Sequence, residues 1–323
     1  LKRIFYAWEL GSGFGHVNRF LALRKALAAH GCTLTLTLAE PLPPGALPDD
    51  LRASVHRAPR YDRQVLGLPE QQLAFSEIMM LHGYLDPYAL AGLLGGWRDL
   101  MQAVDAQLVI ADFAPTAVLA ARSLGLPCAR IGTGYCCPPA VDPEVPIVPS
   151  MAPPLARRDE AAQLLVSNIN RALTQFGAAP LQTLGQMHRA DCDLLTTCAE
   201  FDPYDRPAEA CLGPIWDTGE GGPAAWPAGR AARAFVYLKG LDAMTVPMLR
   251  ILRRKQLACL IYSPGLPAVA RGIHLAPDAF FRPAAGGAAG HCWGGLGGVR
   301  RYPQYSLRCS AGRQARAGDP VRA

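Results

Sequence analysis

His16 is the residue in this sequence best placed to do chemistry. It follows Gly11-Ser12-Gly13-Phe14-Gly15, between a β-rich run and a segment with helical spacing. Glycines there let the chain turn tightly and let a ligand approach the free N–H groups of a helix N-terminus. The positive helix end disfavours a second proton on an imidazole, and a neutral imidazole can act as a general base. The other reading of His16 is a residue that caps the helix or packs in the loop. Asp112 is the second candidate. It closes the apolar run Leu108–Ala111, ahead of Phe113-Ala114-Pro115. Ends of parallel strands share one edge of a sheet, so Asp112 can reach His16, fix its tautomer and stabilise its protonated form. The other reading of Asp112 is an N-cap for the next helix.

The same glycines invite a dinucleotide reading. That fingerprint needs Gly-x-Gly-x-x-Gly, whereas here the third glycine comes one residue early and His16 takes the last place. Glu40 can mimic the ribose-binding acid, which keeps a nicotinamide-dependent oxidoreductase open as an alternative.

The elements that must hold these residues follow from periodicity. The run 2–8 reads as a strand, and Val17–His30 has helical spacing with Gly31 as its stop. Thr33–Ala39 alternates as a second strand. The unit recurs as strand 108–111, helix Ala114–Leu124, Gly125 and a strand from Pro127 to Ile131. Residues 159–190 read as one or two helices, and Asp193–Thr197 as a strand. Alternating strands and helices predict an α/β fold with parallel sheet. Met79-Met80-Leu81-His82-Gly83-Tyr84 suits either the wall of an apolar pocket or ordinary helix packing.

With 323 residues, 50% of them hydrophobic and 18% charged, the chain has material for about two domains. Apolar runs fall short of a membrane span, and the first residues do not resemble a secretory signal. A transmembrane protein, a coiled coil and a disulfide miniprotein are excluded. Of the net charge of +6, the segment 284–323 supplies +5, from Arg300, Arg301, Arg308, Arg313, Arg316 and Arg322 against Asp319. The rest of the chain is nearly neutral and shows no basic face or reading motif for nucleic acid. The ten cysteines form no Cys-x-x-Cys pair and no zinc spacing. Cys32 and Cys259 lie in strand-like apolar runs, so buried free thiols and a reducing, cytoplasmic compartment are expected.

Residues 212–232 are dense in Gly and Pro and read as a linker. Ala234–Leu238, Val246–Arg254 and Leu257–Tyr262 then read as a new strand, helix and strand. In 284–323, nine of forty residues are Gly, Lys and Glu are absent, and no period survives. That composition predicts a disordered tail, either a natural one or the product of a shifted reading frame.

At this point the motifs combine into a resemblance. Gly11-x-Gly13-x-Gly15-His16-Val-Asn-Arg19-x-Leu-Ala-Leu23 after a strand resembles the N-terminus of family 1 glycosyltransferases of the GT-B fold. So does Ile110-Ala-Asp112-Phe-x-x-x-Ala-x-x-Ala-Ala-x-x-Leu-Gly-Leu-Pro127, with Thr133 after it. Leu212-Gly-Pro-Ile-Trp216 is similar to the close of that family's acceptor domain. Phe235-Val-Tyr-Leu-Lys-Gly240 and Leu260-Ile-Tyr-Ser-Pro-Gly265 are similar to the opening strands of its donor domain.

The resemblance implies two Rossmann-like domains. Residues 1–211 would bind the acceptor and 233–283 would begin the donor domain, leaving that domain incomplete before the tail. It implies inverting transfer from a nucleotide sugar, a UDP- or dTDP-sugar, to a hydroxyl of a small lipophilic acceptor. His16 would be the base and Asp112 its partner. Gly11, Gly13, Phe14 and Gly15 would form the loop beside the substrates, and Lys239 and Gly240 would border the donor phosphates. No metal or cofactor is implied, and neither nucleic acid nor membrane is an expected partner. The family's later donor signature, a His-x-Gly-x-Gly-Thr-like stretch, has no proper match in 284–323. The chain as written is therefore expected to bind donor poorly. A non-catalytic relative, and more remotely a nucleotide-sugar epimerase of the same shape, are the other readings of the resemblance.

Overall fold

The computed structural model describes residues 2–42, 47–68, 71–215, 232–238, 243–255, 257–262 and 280–281. Lys239, Gly240, most of the expected linker and the whole segment 284–323 lie outside the described residues.

The first unit is built on six parallel strands: β1 (Lys2–Trp8), β2 (Cys32–Leu38), β3 (Val55–Arg57), β4 (Leu108–Asp112), β5 (Cys128–Gly132) and β6 (Cys192–Leu195). Their order is β3-β2-β1-β4-β5-β6, all parallel. The chain builds outward from β1 in one direction, then returns to place β4 on its other side. The order reverses between β1 and β4, and that crevice, at the carboxyl ends, is where open α/β sheets bind ligands.

Five helices connect the strands: α1 (Phe14–Ala28), the short α2 (Phe75–Met79), α3 (Pro87–Ala103), α4 (Pro115–Leu124) and α5 (Leu155–Thr174). Strands covered on both faces read as continuous apolar runs, as β1 and β4 do. Successive β1 residues serve opposite layers. Phe5 and Ala7 pack with Val109, Ala111 and the inner faces of α3, α4 and α5. Ile4, Tyr6 and Trp8 pack with Val17, Phe20, Leu34, Leu36 and Ile110 on the α1 side.

The helix ends show why these segments stop where they do. Asp86 caps α3, accepting from the backbone N–H of Tyr88 and Ala89, with Pro87 at the first helical position. Gly125 ends α4 in the left-handed conformation, φ 68°. Gly31, φ 70°, turns the chain from α1 into β2. Of residues 159–190, 159–174 belong to one long helix, α5, and a 3-10 turn follows at Leu184–His188.

The second unit contains the parallel strands β7 (Arg233–Tyr237), β8 (Ala258–Tyr262) and β9 (Phe280–Phe281), in that order, with α6 (Thr245–Arg254) between β7 and β8. Leu249, Cys259 and Ile261 form its small core with Ala234, Val236 and Leu252 packed around them. No described helix is long and apolar enough to cross a membrane.

One expectation is corrected. Cys32 is half-buried rather than core, because it opens β2 at the strand's outer end; Cys259 is buried as expected. All eight described cysteines are free thiols, with Cys192 exposed. Met79, Met80 and Tyr84 are buried in the main core, so this stretch is helix packing and not an open wall.

Candidate functional site

Strand β1 ends at Trp8 and β4 ends at Asp112, and these two residues are register partners. The chain beyond each strand is tied to the other, since the Leu10 N–H donates to the Phe113 carbonyl at 3.0 Å. Phe113 holds a left-handed backbone, φ 49°, which is costly for a non-glycine residue and is concentrated at functional sites. The glycine turn then bends the chain back into α1. Gly11 and Gly13 both need positive φ, at 79° and 100°.

The first turn of α1 lays His16 over the end of β4. Its Nδ1 lies 2.9 Å from Asp112 Oδ1; the His16 side chain is 12% exposed and that of Asp112 0%. The two atoms are in close contact without forming a hydrogen bond. Such bonds commonly tighten only when substrate is present. The imidazole stacks on the Trp8 indole, with centroids 4.8 Å apart and planes 16° from parallel. Trp8 is itself fixed by its Nε1–H, which donates to the Leu10 carbonyl at 2.9 Å. On the outer side, a Cβ at position 11 would sit 3.0 Å from His16 Nε2 and 3.3 Å from Phe113. Glycine is required there both for its φ and for the space the imidazole occupies.

Asp112 does not cap α4. The N-cap of that helix is Ala114, which makes no side-chain cap bond, and the reading of Asp112 as a cap is corrected. Glu9 supplies the acceptor instead, from the turn after β1, taking the N–H of Thr116 at 2.9 Å and of Ala117 at 3.4 Å. Burial pushes Glu9 up to about 7, although the Thr116 and Ala117 donors pull in the opposite direction.

The second oxygen of Asp112 accepts from two donors. Arg19 Nη1 and the Tyr6 hydroxyl each donate to Oδ2 at 2.6 Å. Burial alone would raise the Asp112 pKa, but Arg19, then His16 and Tyr6, outweigh it and hold the carboxyl below its ordinary value. Burial, reinforced by the Asp112 charge, keeps Tyr6 well above the usual phenol value, so it remains a donor. Neither Tyr6, Trp8 nor Arg19 carries a role in the sequence reading. Arg19 lies three residues beyond His16, on the same helix face, and Tyr6 and Trp8 alternate onto one face of β1. Those spacings are the signals that point to them.

The remaining loop residues divide. Gly13 caps α1 and its N–H donates at 2.6 Å to Glu40 Oε1, so a carboxylate of this chain already holds the helix N-terminus. Phe14 opens α1 and is half-buried. Gly15 lies inside the helix, without positive φ and with open space where a Cβ would stand. Around the outer edge of the site the aromatic rings form a row. Phe113 packs against Phe75 and Tyr135, at 6.1 and 5.5 Å between centroids, and Tyr135 is 39% exposed.

No protein-family model and no curated protein sequence matches the chain. Solved structures do. The glycosyltransferase SnogD from Streptomyces nogalater is similar at a TM-score of 0.52 and 13% identity, covering 87% of this chain and 71% of its own. The calicheamicin glycosyltransferase CalG4 gives 0.52 and 17%, covering 87% of this chain and 70% of its own. The glycosyltransferase of kitacinnamycin gives 0.56 and 16%, covering 87% and 69% respectively. Together with the six-stranded parallel sheet, these likenesses establish the architecture: the chain has the α/β GT-B fold of these glycosyltransferases.

Proposed function

We propose that this chain is of an inverting glycosyltransferase lineage that moves a sugar from a nucleotide-sugar donor to a hydroxyl of a small lipophilic alcohol. The observation that carries the reading is the 2.9 Å approach of His16 Nδ1 to Asp112 Oδ1 at the strand-order reversal. In this reading Nδ1 keeps its proton toward Asp112, and Nε2, on the opposite side of the ring, accepts the proton of the acceptor hydroxyl. The freed oxygen pair bonds to the anomeric carbon as the bond to the nucleoside diphosphate breaks on the opposite face. The leaving group takes that electron pair, and the proton resides on His16 as imidazolium, stabilised by Asp112. General-base catalysis of this kind is worth about 10²- to 10⁴-fold.

Tyr135, exposed and packed on Phe113 next to Asp112, rather than residues 79–84, supplies an aromatic surface that suits a flat or lipophilic acceptor. Donor contacts fall to the second unit, where Lys239 and Gly240 remain expectations from the resemblance alone. The donor is a UDP- or dTDP-hexose by the same resemblance, and the reaction as written needs no further group. Glu40 on the Gly13 N–H counts against the dinucleotide alternative, because it sets a carboxylate where a pyrophosphate would bind.

The test is incubation of the chain with UDP- and dTDP-hexoses and a panel of aromatic and aliphatic alcohols. The products are read by mass spectrometry and anomeric configuration by NMR. The expected outcome is an inverted glycoside formed by the wild type only slowly, because donor is bound poorly, and lost in His16→Ala. Equal product from His16→Ala, or retention of configuration, overturns the reading.

A further inference from the structure

Asp112 is fully buried and makes a different contact through each of its oxygens. Oδ1 faces His16 at 2.9 Å, and Oδ2 accepts from Arg19 and Tyr6, each at 2.6 Å. A catalytic carboxylate needs only one oxygen for the imidazole, but when it is fully buried the other must also be paired. Here it is held by a guanidinium that is itself only 13% exposed. Two cationic or potentially cationic groups, three residues apart on α1, therefore share one carboxylate.

We infer that Arg19 is a positioning residue for the His16–Asp112 pair: it fixes the carboxylate so that Oδ1 meets the imidazole, and it offsets the aspartate charge. This rests on the reading of His16 as the base. Two effects follow from the geometry. The first is orientational. With Oδ2 pinned by Arg19 from α1 and Tyr6 from β1, rotation about the Asp112 side chain is blocked in two directions. The second is electrostatic. An imidazole beside a lone buried carboxylate gains a proton readily, because the pair becomes neutral. Beside an aspartate already neutralised by Arg19, protonation of His16 leaves a net positive charge in a buried site. Removing the Arg19 charge is therefore expected to favour the imidazolium, and Asp112 as held here is an orienting group more than a charge reservoir.

The charged and titratable groups facing the pair come from three directions. His16 and Arg19 lie on α1 and Tyr6 on β1, and Cys136 and Cys137, both thiols raised by burial, lie at the turn Gly134–Cys136 after β5. The Arg19 guanidinium is held firmly ionised. Burial would weaken it, but Asp112 more than compensates and raises it above its already high value. Cys136 is raised by burial, despite its Thr133 contact, and remains an uncharged thiol near neutrality. Arg19 is thus the only fixed cation among these groups.

The experiment is an NMR titration of the His16 imidazole in the full chain. The resonance is assigned by its loss in His16→Gln. The variants compared are the wild type, Arg19→Lys, Arg19→Met and Arg19→Gln. Removing the cation in the Met or Gln variant is expected to raise the His16 midpoint by about 1 pH unit or more. Arg19→Lys restores most of the wild-type midpoint because the charge returns. The acid limb of the kcat/KM–pH profile moves to higher pH by the same amount, since the base must be unprotonated to act. A midpoint that is unchanged or lower in folded Arg19→Met and Arg19→Gln overturns the inference. If Met fails to fold, Gln carries the test through its amide donor, and Lys against wild type tests the bidentate geometry. The underlying reading fails separately: transfer unaffected by His16→Ala removes His16 as the base whatever the titration shows. Transfer lost in His16→Ala with a midpoint insensitive to Arg19 removes only the role of Arg19.

Discussion

The imidazole of His16 lies flat on the indole of Trp8, 4.8 Å between centroids and 16° from parallel. A stacked platform restricts rotation of the ring that must present Nε2 outward and Nδ1 toward Asp112. Trp8 is fully buried, so it also belongs to the core beneath the site. Trp8→Ala is expected to cost about 3–5 kcal/mol in urea unfolding, as deletion of a large buried aromatic does. Trp8→Phe retains a ring under His16 and is expected to lose less stability and to keep more activity. Equal losses from the two variants would show that the stack contributes nothing to positioning.

Asp112→Asn leaves the Arg19 guanidinium largely buried without its counter-charge. Breaking such a pair from one side costs about 3–5 kcal/mol. The double variant Asp112→Asn/Arg19→Met removes both charges and is expected to recover most of that stability. It is not expected to recover transfer, because the group facing Nδ1 is then no longer a carboxylate oriented by Arg19. The check is a double-mutant cycle by denaturant unfolding of wild type, Asp112→Asn, Arg19→Met and the double variant, alongside kcat for the same four proteins.

Gly11→Ala sets a Cβ 3.0 Å from His16 Nε2 at φ 79°. The left-handed conformation alone costs about 1–2 kcal/mol for an alanine. The larger effect is expected on catalysis, because displacing the imidazole by a fraction of an ångström is enough to cost on the order of 10²-fold. Gly15→Ala is the control. That position lies within α1 with open space around it, and alanine there is expected to be neutral or mildly stabilising.

Glu9 gives the fold a pH dependence of definite sign. Its pKa is raised by burial from 4.5 to about 7, so the native state binds more protons than the unfolded chain between those values. Stability from this group is therefore present below about pH 4.5, falls as pH rises, and levels off above about pH 7, by about 3 kcal/mol in all. Glu9→Gln keeps an acceptor for the Thr116 and Ala117 N–H groups and carries no charge. It is expected to flatten this part of the pH–stability curve and to be more stable than wild type at pH 8. His188 acts in the opposite sense. Burial, helped by Arg130, lowers it to about 3, so its contribution is lost as pH falls from about 6.5 toward 3. Unfolding of Glu9→Gln and wild type from pH 4 to 8 separates the two slopes.

The parts of this site that were legible in the sequence are the local ones. The strand–glycine–helix turn and the position of Asp112 at a strand end follow from period and residue type within a dozen residues. The start of α1 is misplaced by three residues, since the helix begins at Phe14 without a side chain of its own as cap. Its acceptor, Glu40, arrives from the end of β2, a contact that only the folded sheet creates. The role first read for Asp112 as a cap goes to Glu9 for the same reason. Arg19 and Tyr6 were visible as residues with suitable spacing, but nothing in either stretch says that both converge on one oxygen. The stretch 79–84 is ambiguous by composition, since apolar residues line pockets and fill cores alike. Burial decided that case.

Tyr6 and Asp112 stand 106 residues apart in the chain and meet as side chains only across the β1–β4 seam. The glycine turn and His16 emerge early in synthesis, but the strand that completes them emerges much later and must insert beside β1 in correct register. Closing so long a loop is slow compared with forming α1, so the turn spends its first existence with a histidine and no carboxylate. An N-terminal fragment ending before residue 108 keeps every glycine of the motif and none of its chemistry. Competence at this site is thus a late property of the growing chain, acquired at the moment β4 docks.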